Sequence, residues 1–177
     1  RISREAGVAR SLGLRAVDYL GSLGFLRPVA QFVHCCDIDA AECARLAGAG
    51  VSVAHCPRSN EALDCPRAPV REMLDAGVLV GLGLDSAASS GPIDMFAEMR
   101  AALEVSSRRG ADLTPEEVWR MATSMGAESL RVVGWDLKSG SFVPLIKLHV
   151  PRAASVLDVI SAGSSRSVEW VEPTVHN

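Results

Sequence analysis

The chain has 177 residues, of which 48% are apolar and 22% are charged, and its formal net charge is −3. This much apolar material supports a hydrophobic core, which argues against a globally disordered chain. The length suits one domain, or one domain with a small addition. The sequence has no basic cluster and no apolar run near the roughly 18 residues that cross a bilayer. We therefore expect neither nucleic acid nor a membrane as a partner.

All five cysteines lie between positions 35 and 65. An odd number in a chain of this size argues against a disulfide scaffold and favours reduced thiols, so we expect a cytoplasmic protein. The N-terminus has no initiator methionine and no signal-peptide apolar core, which fits an excerpt of a longer chain.

Short apolar runs alternate with helical patterns along most of the sequence. The predicted strands are residues 31–36, 51–55 and 78–84. The predicted helices are residues 11–20, 39–48, 68–76, 92–109 and 114–130. Capping boxes mark two helix starts, at Asp39 and at Thr114, and Pro92 is predicted as a first helical residue. Residues 56–66 are predicted as a polar loop, and residues after Gly134 as a β-rich tail.

This alternation of strands and helices predicts βα units and a parallel sheet. The strands are almost continuously apolar, as expected where helices cover both faces of a sheet. Two architectures fit this pattern, a doubly wound sheet and a (β/α)8 barrel. No glycine-rich phosphate-binding motif follows any predicted strand. Gly81 and Gly83 lie inside a predicted strand and lack the third glycine of such a motif, which argues against a dinucleotide-binding site.

An ionisable residue lies at or near the carboxyl end of each predicted strand: His34, His55 and Asp85. In barrel enzymes, catalytic groups come from the carboxyl ends of several strands. Two imidazoles and a carboxylate that meet there could bind a divalent metal or move protons.

An ordered set of short motifs surrounds these residues. The set comprises His-Cys-Pro-Arg-Ser-Asn (55–60), Ala-Pro-Val (68–70), Gly-Leu-Asp-Ser (83–86), Phe-Ala-Glu-Met-Arg (96–100) and Ala-Thr-Ser-Met-Gly-Ala (122–127). In this order and spacing it resembles the amidohydrolase superfamily. The closer resemblance is to the branch of metal-dependent deaminases and chlorohydrolases that act on nucleobases, nucleoside-like compounds and triazines.

The resemblance implies a fold and its boundaries. Residues 1–133 would be the C-terminal portion of a (β/α)8 TIM barrel, strands six to eight, and residues 134–177 part of a small β-rich domain. The family's His-x-His pair and His-x-x-Glu segment do not occur in this sequence. The remaining metal ligands would therefore lie outside this chain, in a missing N-terminal half or in another copy of a homo-oligomer.

The resemblance also implies a chemistry, the hydrolytic deamination of a small heterocyclic substrate by metal-bound hydroxide. Asp85 would bind the divalent metal, zinc or alternatively iron, and accept a proton from the attacking water. His34 would hold the hydroxide or the reacting group of the substrate. His55, Ser59 and Asn60 would shape the loop that contacts the substrate or braces the site.

Two other functions fit the same residues. The chain could be a non-catalytic binding or assembly subunit built on half a barrel, since an incomplete barrel leaves open sheet edges. It could also belong to a hydrolase that cleaves a cyclic amide. In the enzyme hypothesis, we expect this chain to be inactive alone, because it lacks most of the metal ligands.

Overall fold

The computed structural model describes residues 11–131 and four two-residue strands farther along. The main strands are β1 (Gln31–Val33), β2 (Ser52–His55) and β3 (Val80–Leu82). The helices are α1 (Ala16–Ser22), α2 (Ala40–Gly48), α3 (Pro57–Ala62), α4 (Val70–Asp75), α5 (Ala87–Ser90), α6 (Met95–Arg109), α7 (Pro115–Ala122) and α8 (Ser124–Ser129). The later strands are β4 (Trp135–Asp136), β5 (Ser141–Phe142), β6 (Lys147–Leu148) and β7 (Val168–Glu169).

The later strands form two antiparallel pairs, β4 with β5 and β6 with β7. Most of the predicted small domain, residues 134–177, lies outside the described residues, so its boundary stays a prediction. Within the part of the chain that is described, no helix is both long enough and apolar enough to cross a bilayer.

The three main strands form a parallel sheet in the order β1-β2-β3, which confirms the predicted βα units. The central strand pairs with both neighbours, and Val53 lies opposite Phe32 on one side and Val80 on the other. Because the strands are parallel, their carboxyl ends meet at one edge of the sheet. The ionisable residues predicted at the strand ends, His34, His55 and Asp85, lie at this edge.

Two strands are shorter than predicted. The strand predicted over residues 31–36 stops at Val33, because His34 (φ 70°) and Cys35 (φ 49°) have left-handed backbone conformations. An extended ladder cannot continue through such residues. The strand predicted over residues 78–84 is confined to Val80–Leu82.

Both predicted capping boxes are confirmed. The Asp39 side chain accepts a hydrogen bond from the backbone N–H of Glu42, and the Glu42 carboxylate accepts one from the N–H of Asp39. Thr114 and Glu117 make the same reciprocal pair at the start of α7. Each box satisfies two backbone donors that a helix N-terminus leaves free.

Four other predictions about helices were wrong. The first helix covers Ala16–Ser22 rather than residues 11–20, and residues 56–66 contain α3 instead of being only loop. Helix α6 starts at Met95 rather than Pro92, because the Asp94 carboxylate caps it. The helix predicted over residues 114–130 is interrupted at Thr123, whose φ of −125° and ψ of −94° are not helical.

The hydrophobic core lies between the sheet and the surrounding helices. The sheet contributes the fully buried side chains of Val53 and Val80. The helices contribute those of Leu46, Met73, Val118 and Met121. The methionines at helical spacing either belong to this core or pack against it, as their pattern predicts. All five cysteines are free, in agreement with the reduced thiols expected from their number.

Candidate active site

The carboxyl edge of the sheet brings together His34, which follows β1, and Asp85, which follows β3. The Nε2 atom of His34 lies 3.7 Å from the Oδ2 atom of Asp85, and both side chains are partly exposed. His55 is the last residue of β2, between them in the strand order. The structure thus places the three ionisable residues at one edge, as the parallel topology predicts.

The Asp85 carboxylate is oriented by two hydrogen bonds. Its Oδ2 atom accepts from the Ser59 hydroxyl at 2.5 Å, and its Oδ1 atom accepts from the backbone N–H of Ser86 at 2.8 Å. These donors hold the pKa of the carboxyl below its usual range, the Ser59 hydroxyl contributing most. Asp85 is therefore an ionised, fixed acceptor at neutral pH. Its backbone is left-handed (φ 56°), which aspartate tolerates better than bulkier residues.

The His34 imidazole is held from its other side by Asn60. The Nδ1 atom of His34 lies 2.8 Å from the Oδ1 atom of Asn60, which leaves Nε2 toward Asp85. The backbone N–H of His34 donates to the carbonyl of Ala54 in β2, so the residue is anchored to the sheet although β1 has ended.

Ser59 and Asn60 both lie on α3, the short helix that the sequence did not predict. Both are buried, and their side chains contact Asp85 and His34 respectively. The hydroxyl oxygen of a second serine, Ser89 on α5, lies 3.0 Å from that of Ser59. Helix α3 therefore braces Asp85 and His34, whereas the prediction that Ser59 and Asn60 contact substrate stays a prediction.

Helix α3 is itself fixed by a buried glutamate on α6. Glu98 is fully buried, and its Oε1 atom accepts from the backbone N–H of Arg58 at 2.9 Å. The Arg58 guanidinium approaches Oε2 of Glu98 at 3.8 Å and donates to the carbonyl of Pro92. Burial raises the pKa of Glu98 above its usual range, against the opposing effect of these Arg58 contacts.

Glu98 and Ser89 are the site residues that sequence analysis missed. Glu98 belongs to the Phe-Ala-Glu-Met-Arg motif, but the motif does not indicate that this glutamate is buried or that it contacts the site. Ser89 lies between the predicted strand 78–84 and the predicted helix 92–109, where nothing in the sequence distinguishes one serine from another.

His55 is buried inside the fold, with 1% of its surface exposed. Its Nδ1 atom has no hydrogen-bond partner within residues 11–131. Burial, followed by the nearby His34, lowers the pKa of His55 to about 4, so the imidazole is neutral at neutral pH. The prediction that His55 contacts substrate stays a prediction.

The donors present fit one side of a metal site. The carboxylate of Asp85 and Nε2 of His34 face each other, and both are groups that bind zinc in proteins. Nowhere in the described ranges does a group of three His, Cys, Asp or Glu side chains come together to hold a metal ion. Among the described residues, Asp85 is thus the one predicted metal ligand at this edge, with His34 beside it.

Comparison with known proteins identifies relatives over most of the chain. The chain is 36% identical over 154 residues to a 5-methylthioadenosine/S-adenosylhomocysteine deaminase of Haloarcula marismortui, which covers 84% of this chain and 36% of that protein. It is 40% identical over 170 residues to the deaminase of the same name from Pelotomaculum thermopropionicum, covering 90% of this chain and 39% of that protein. The chain therefore spans little more than a third of the length of these curated relatives.

The structure is also similar to solved enzymes. It matches an adenosine deaminase from Xanthomonas campestris with bound zinc at a TM-score of 0.78 and 28% identity, over 88% of this chain and 38% of that chain. The match to an atrazine chlorohydrolase from Arthrobacter aurescens complexed with zinc has a TM-score of 0.64 at 28% identity. It covers 72% of this chain and 29% of that enzyme.

The family model for the Amidohydrolase family matches residues 2–142, which is well over half of the chain. The match includes every strand of the parallel sheet and all the side chains of the candidate site. Sequence relatives and structural neighbours lead to the same assignment. The chain belongs to the Amidohydrolase family.

Proposed function

We propose that this chain supplies Asp85 and His34 to the active site of a metal-dependent hydrolase that deaminates a heterocyclic substrate. The observation that carries the proposal is the orientation of the Asp85 carboxylate, fixed by Ser59 and Ser86 and facing His34 Nε2 across 3.7 Å. A carboxylate held in this way can accept and return a proton in one place.

The finer fold assignment is part of the proposal. The strands β1, β2 and β3 would be the sixth, seventh and eighth strands of a (β/α)8 barrel, with residues 134–177 belonging to a small β-rich domain. Their sequential parallel order supports this assignment. So does the fraction of the curated relatives that the chain spans, 36% of the first.

The proposed cofactor is a divalent metal, zinc, with iron as the alternative. Two structural neighbours are described as holding zinc, and Asp85 would be one of its ligands here. The other ligands would come from residues outside this chain. When bound, such a metal would lower the pKa of a water molecule toward neutrality.

The residues of this chain would move the protons. Asp85 would take a proton from the attacking water and return it to the departing amine, so that ammonia leaves a ring carbon to which the water oxygen has added. His34, fixed by Asn60, would hold the water or the reacting group on the opposite side of the site. Ser59 and Asn60 would brace the site rather than contact the substrate, because their side chains already bond to protein.

The proposed substrate class is an adenine-type nucleoside. The support comes from the relatives, which are named as deaminases of 5-methylthioadenosine and S-adenosylhomocysteine, and from the structural neighbour described as an adenosine deaminase. The chlorohydrolase neighbour has a lower TM-score and covers less of the chain.

One surface of this chain, near the edge strand β1, would be covered by further protein. Leu23, Phe25, Val29 and Val33 are exposed apolar side chains that precede or belong to β1, a strand at the edge of the sheet. Exposed apolar side chains beside an open edge are typical of a surface that other protein covers. The partner would be the N-terminal half of the barrel or a second copy, and the free cysteines favour a cytoplasmic location.

Hydrolysis of a panel of substrates tests the proposal, followed as ammonia from the nucleosides, chloride from atrazine and ring opening of the cyclic amide. The panel contains adenosine, 5-methylthioadenosine, atrazine and a cyclic amide such as hydantoin, and the protein is the full product of the gene, loaded with zinc. We expect ammonia from the two nucleosides, and none when Asp85→Asn replaces the wild type. The control is Asp64→Asn, the same change at another left-handed aspartate (φ 53°).

The other outcomes identify the competing functions. Ring opening of hydantoin without ammonia from the nucleosides would indicate a cyclic amide hydrolase. No turnover of any substrate by the zinc-loaded protein would indicate a non-catalytic subunit. Turnover by the 177-residue chain alone would contradict the expectation that the remaining ligands lie outside it.

A further inference from the structure

Asn60 holds its side chain in a buried position beside His34. Only 4% of Asn60 is exposed, and its backbone is anchored at both ends: its N–H donates to the carbonyl of Cys56, and its carbonyl accepts from the N–H of Cys65, each at 2.9 Å. The Oδ1 atom of its amide faces Nδ1 of His34 at 2.8 Å. The Nδ2 atom has no hydrogen-bond partner in the described segment 11–131.

The chemistry of this contact determines where the imidazole carries its hydrogen. An amide oxygen can only accept, so Nδ1 of His34 must donate to it. A neutral imidazole has one N–H, so Nε2 then keeps its lone pair. That lone pair faces Oδ2 of Asp85 at 3.7 Å, a separation too long for a hydrogen bond between them.

Two electron-pair donors therefore face each other, with a gap between them. The gap suits a cation or a hydrogen atom of a water molecule, which either donor could then hold. With the hydrogen on Nε2 instead, His34 would direct that hydrogen at Asp85 and lose its capacity to accept on this side.

The backbone also holds His34 in this place. His34 and Cys35 are both left-handed, a costly conformation for residues other than glycine. Such conformations persist where the surrounding structure fixes them. Here the N–H of His34 donates to Ala54 and that of Cys35 donates to Val33, each at 2.9 Å.

We infer that Asn60 is a positioning residue, which fixes the neutral tautomer of His34 with its hydrogen on Nδ1. Nε2 thereby accepts a hydrogen bond from the attacking water instead of donating one to the reacting group. The consequence for the reaction rests on the proposed function and selects one of the two roles open to His34. The tautomer itself is independent of that function, so the two can fail separately.

Nitrogen-15 NMR of the histidine side chains tests the inference in the full 177-residue chain. Two-bond correlations from the ring carbon hydrogens distinguish a nitrogen that carries hydrogen from one that does not. The spectrum is recorded at roughly pH 8.5, above the ordinary range of imidazole titration, and His34→Gln assigns the signals. We expect hydrogen on Nδ1 and a bare Nε2.

Two variants distinguish the effect of the hydrogen-bond acceptor on residue 60 from the effect of side-chain size. Asn60→Asp keeps an acceptor at the same position and is expected to keep the hydrogen on Nδ1. Asn60→Leu has a similar size but no acceptor, so part of the population is expected to shift to hydrogen on Nε2.

Two results would overturn the inference: hydrogen on Nε2 in the wild type, which would mean that Nδ2 of Asn60 donates to the imidazole, or an unchanged tautomer in Asn60→Leu. The wild-type spectrum decides the first point without any variant, so the test survives a variant that does not fold. Deaminase activity combined with the Nε2 tautomer would overturn this inference alone and leave the proposed function in place.

Discussion

Replacement of Glu98 by alanine is expected to lower the free energy of unfolding by about 3 kcal/mol. The change removes the acceptor of the Arg58 N–H, and a buried donor without a partner costs about 1–3 kcal/mol. It also leaves a cavity at a fully buried position and takes the opposing charge from the Arg58 guanidinium. Because Ser59 and Asn60 follow Arg58 on the same short helix, we expect both to shift with it.

Urea denaturation of matched variants checks this expectation. Glu98→Gln retains an oxygen that can accept from Arg58 and should lose clearly less stability than Glu98→Ala. Glu104→Ala removes a largely exposed glutamate from the same helix, and its effect should stay within about 0.5 kcal/mol. Equal losses for Glu98→Ala and Glu104→Ala would mean that the buried carboxylate does not hold α3.

Acid is expected to destabilise the fold through His55. The unfolded chain binds a proton on this residue near the ordinary value of 6.5, whereas the folded chain does so only near its lowered pKa of about 4. Between these values the unfolded state binds more protons, so stability falls as the pH falls. At about 1.4 kcal/mol per pKa unit, the loss from this one group reaches about 3 kcal/mol near pH 4 and levels off below it.

Unfolding free energies measured between pH 7 and pH 4 check the His55 prediction. His55→Gln cannot take up the proton, so its stability should depend less steeply on pH across this window. Val53→Ala is the control, since it removes buried apolar volume from the same strand without changing a titratable group. It should lower stability equally at every pH. A slope in His55→Gln as steep as that of the wild type would contradict the assigned pKa.

The parts of the fold that local sequence determines were predictable. The capping box of Asp39 and Glu42 depends on residues three positions apart, and the apolar runs around Val53 and Val80 identify buried strands in any parallel sheet. The proximity of His34 and Asp85 could be predicted from the same pattern. Both residues follow strands of one parallel sheet, and the carboxyl ends of such strands lie at the same edge.

The remaining features depend on contacts between distant segments. Helix α3 was missed because, apart from Pro57, its buried positions are the polar residues Ser59 and Asn60, whose partners lie on other elements. Strand β1 ends early because His34 and Cys35 have positive φ angles. Neither residue is a glycine, so the sequence gives no sign of this backbone conformation. The role of Glu98 was hidden because a glutamate on a helix usually faces solvent.

The position of zinc in crystals of the full gene product tests the central claim most directly. Anomalous diffraction at the zinc absorption edge locates the ion independently of any assay. The account predicts a peak about 2.0–2.2 Å from a carboxylate oxygen of Asp85, on the side that faces Nε2 of His34. A zinc ion bound away from Asp85, or an Asp85 carboxylate turned into apolar packing, would contradict it.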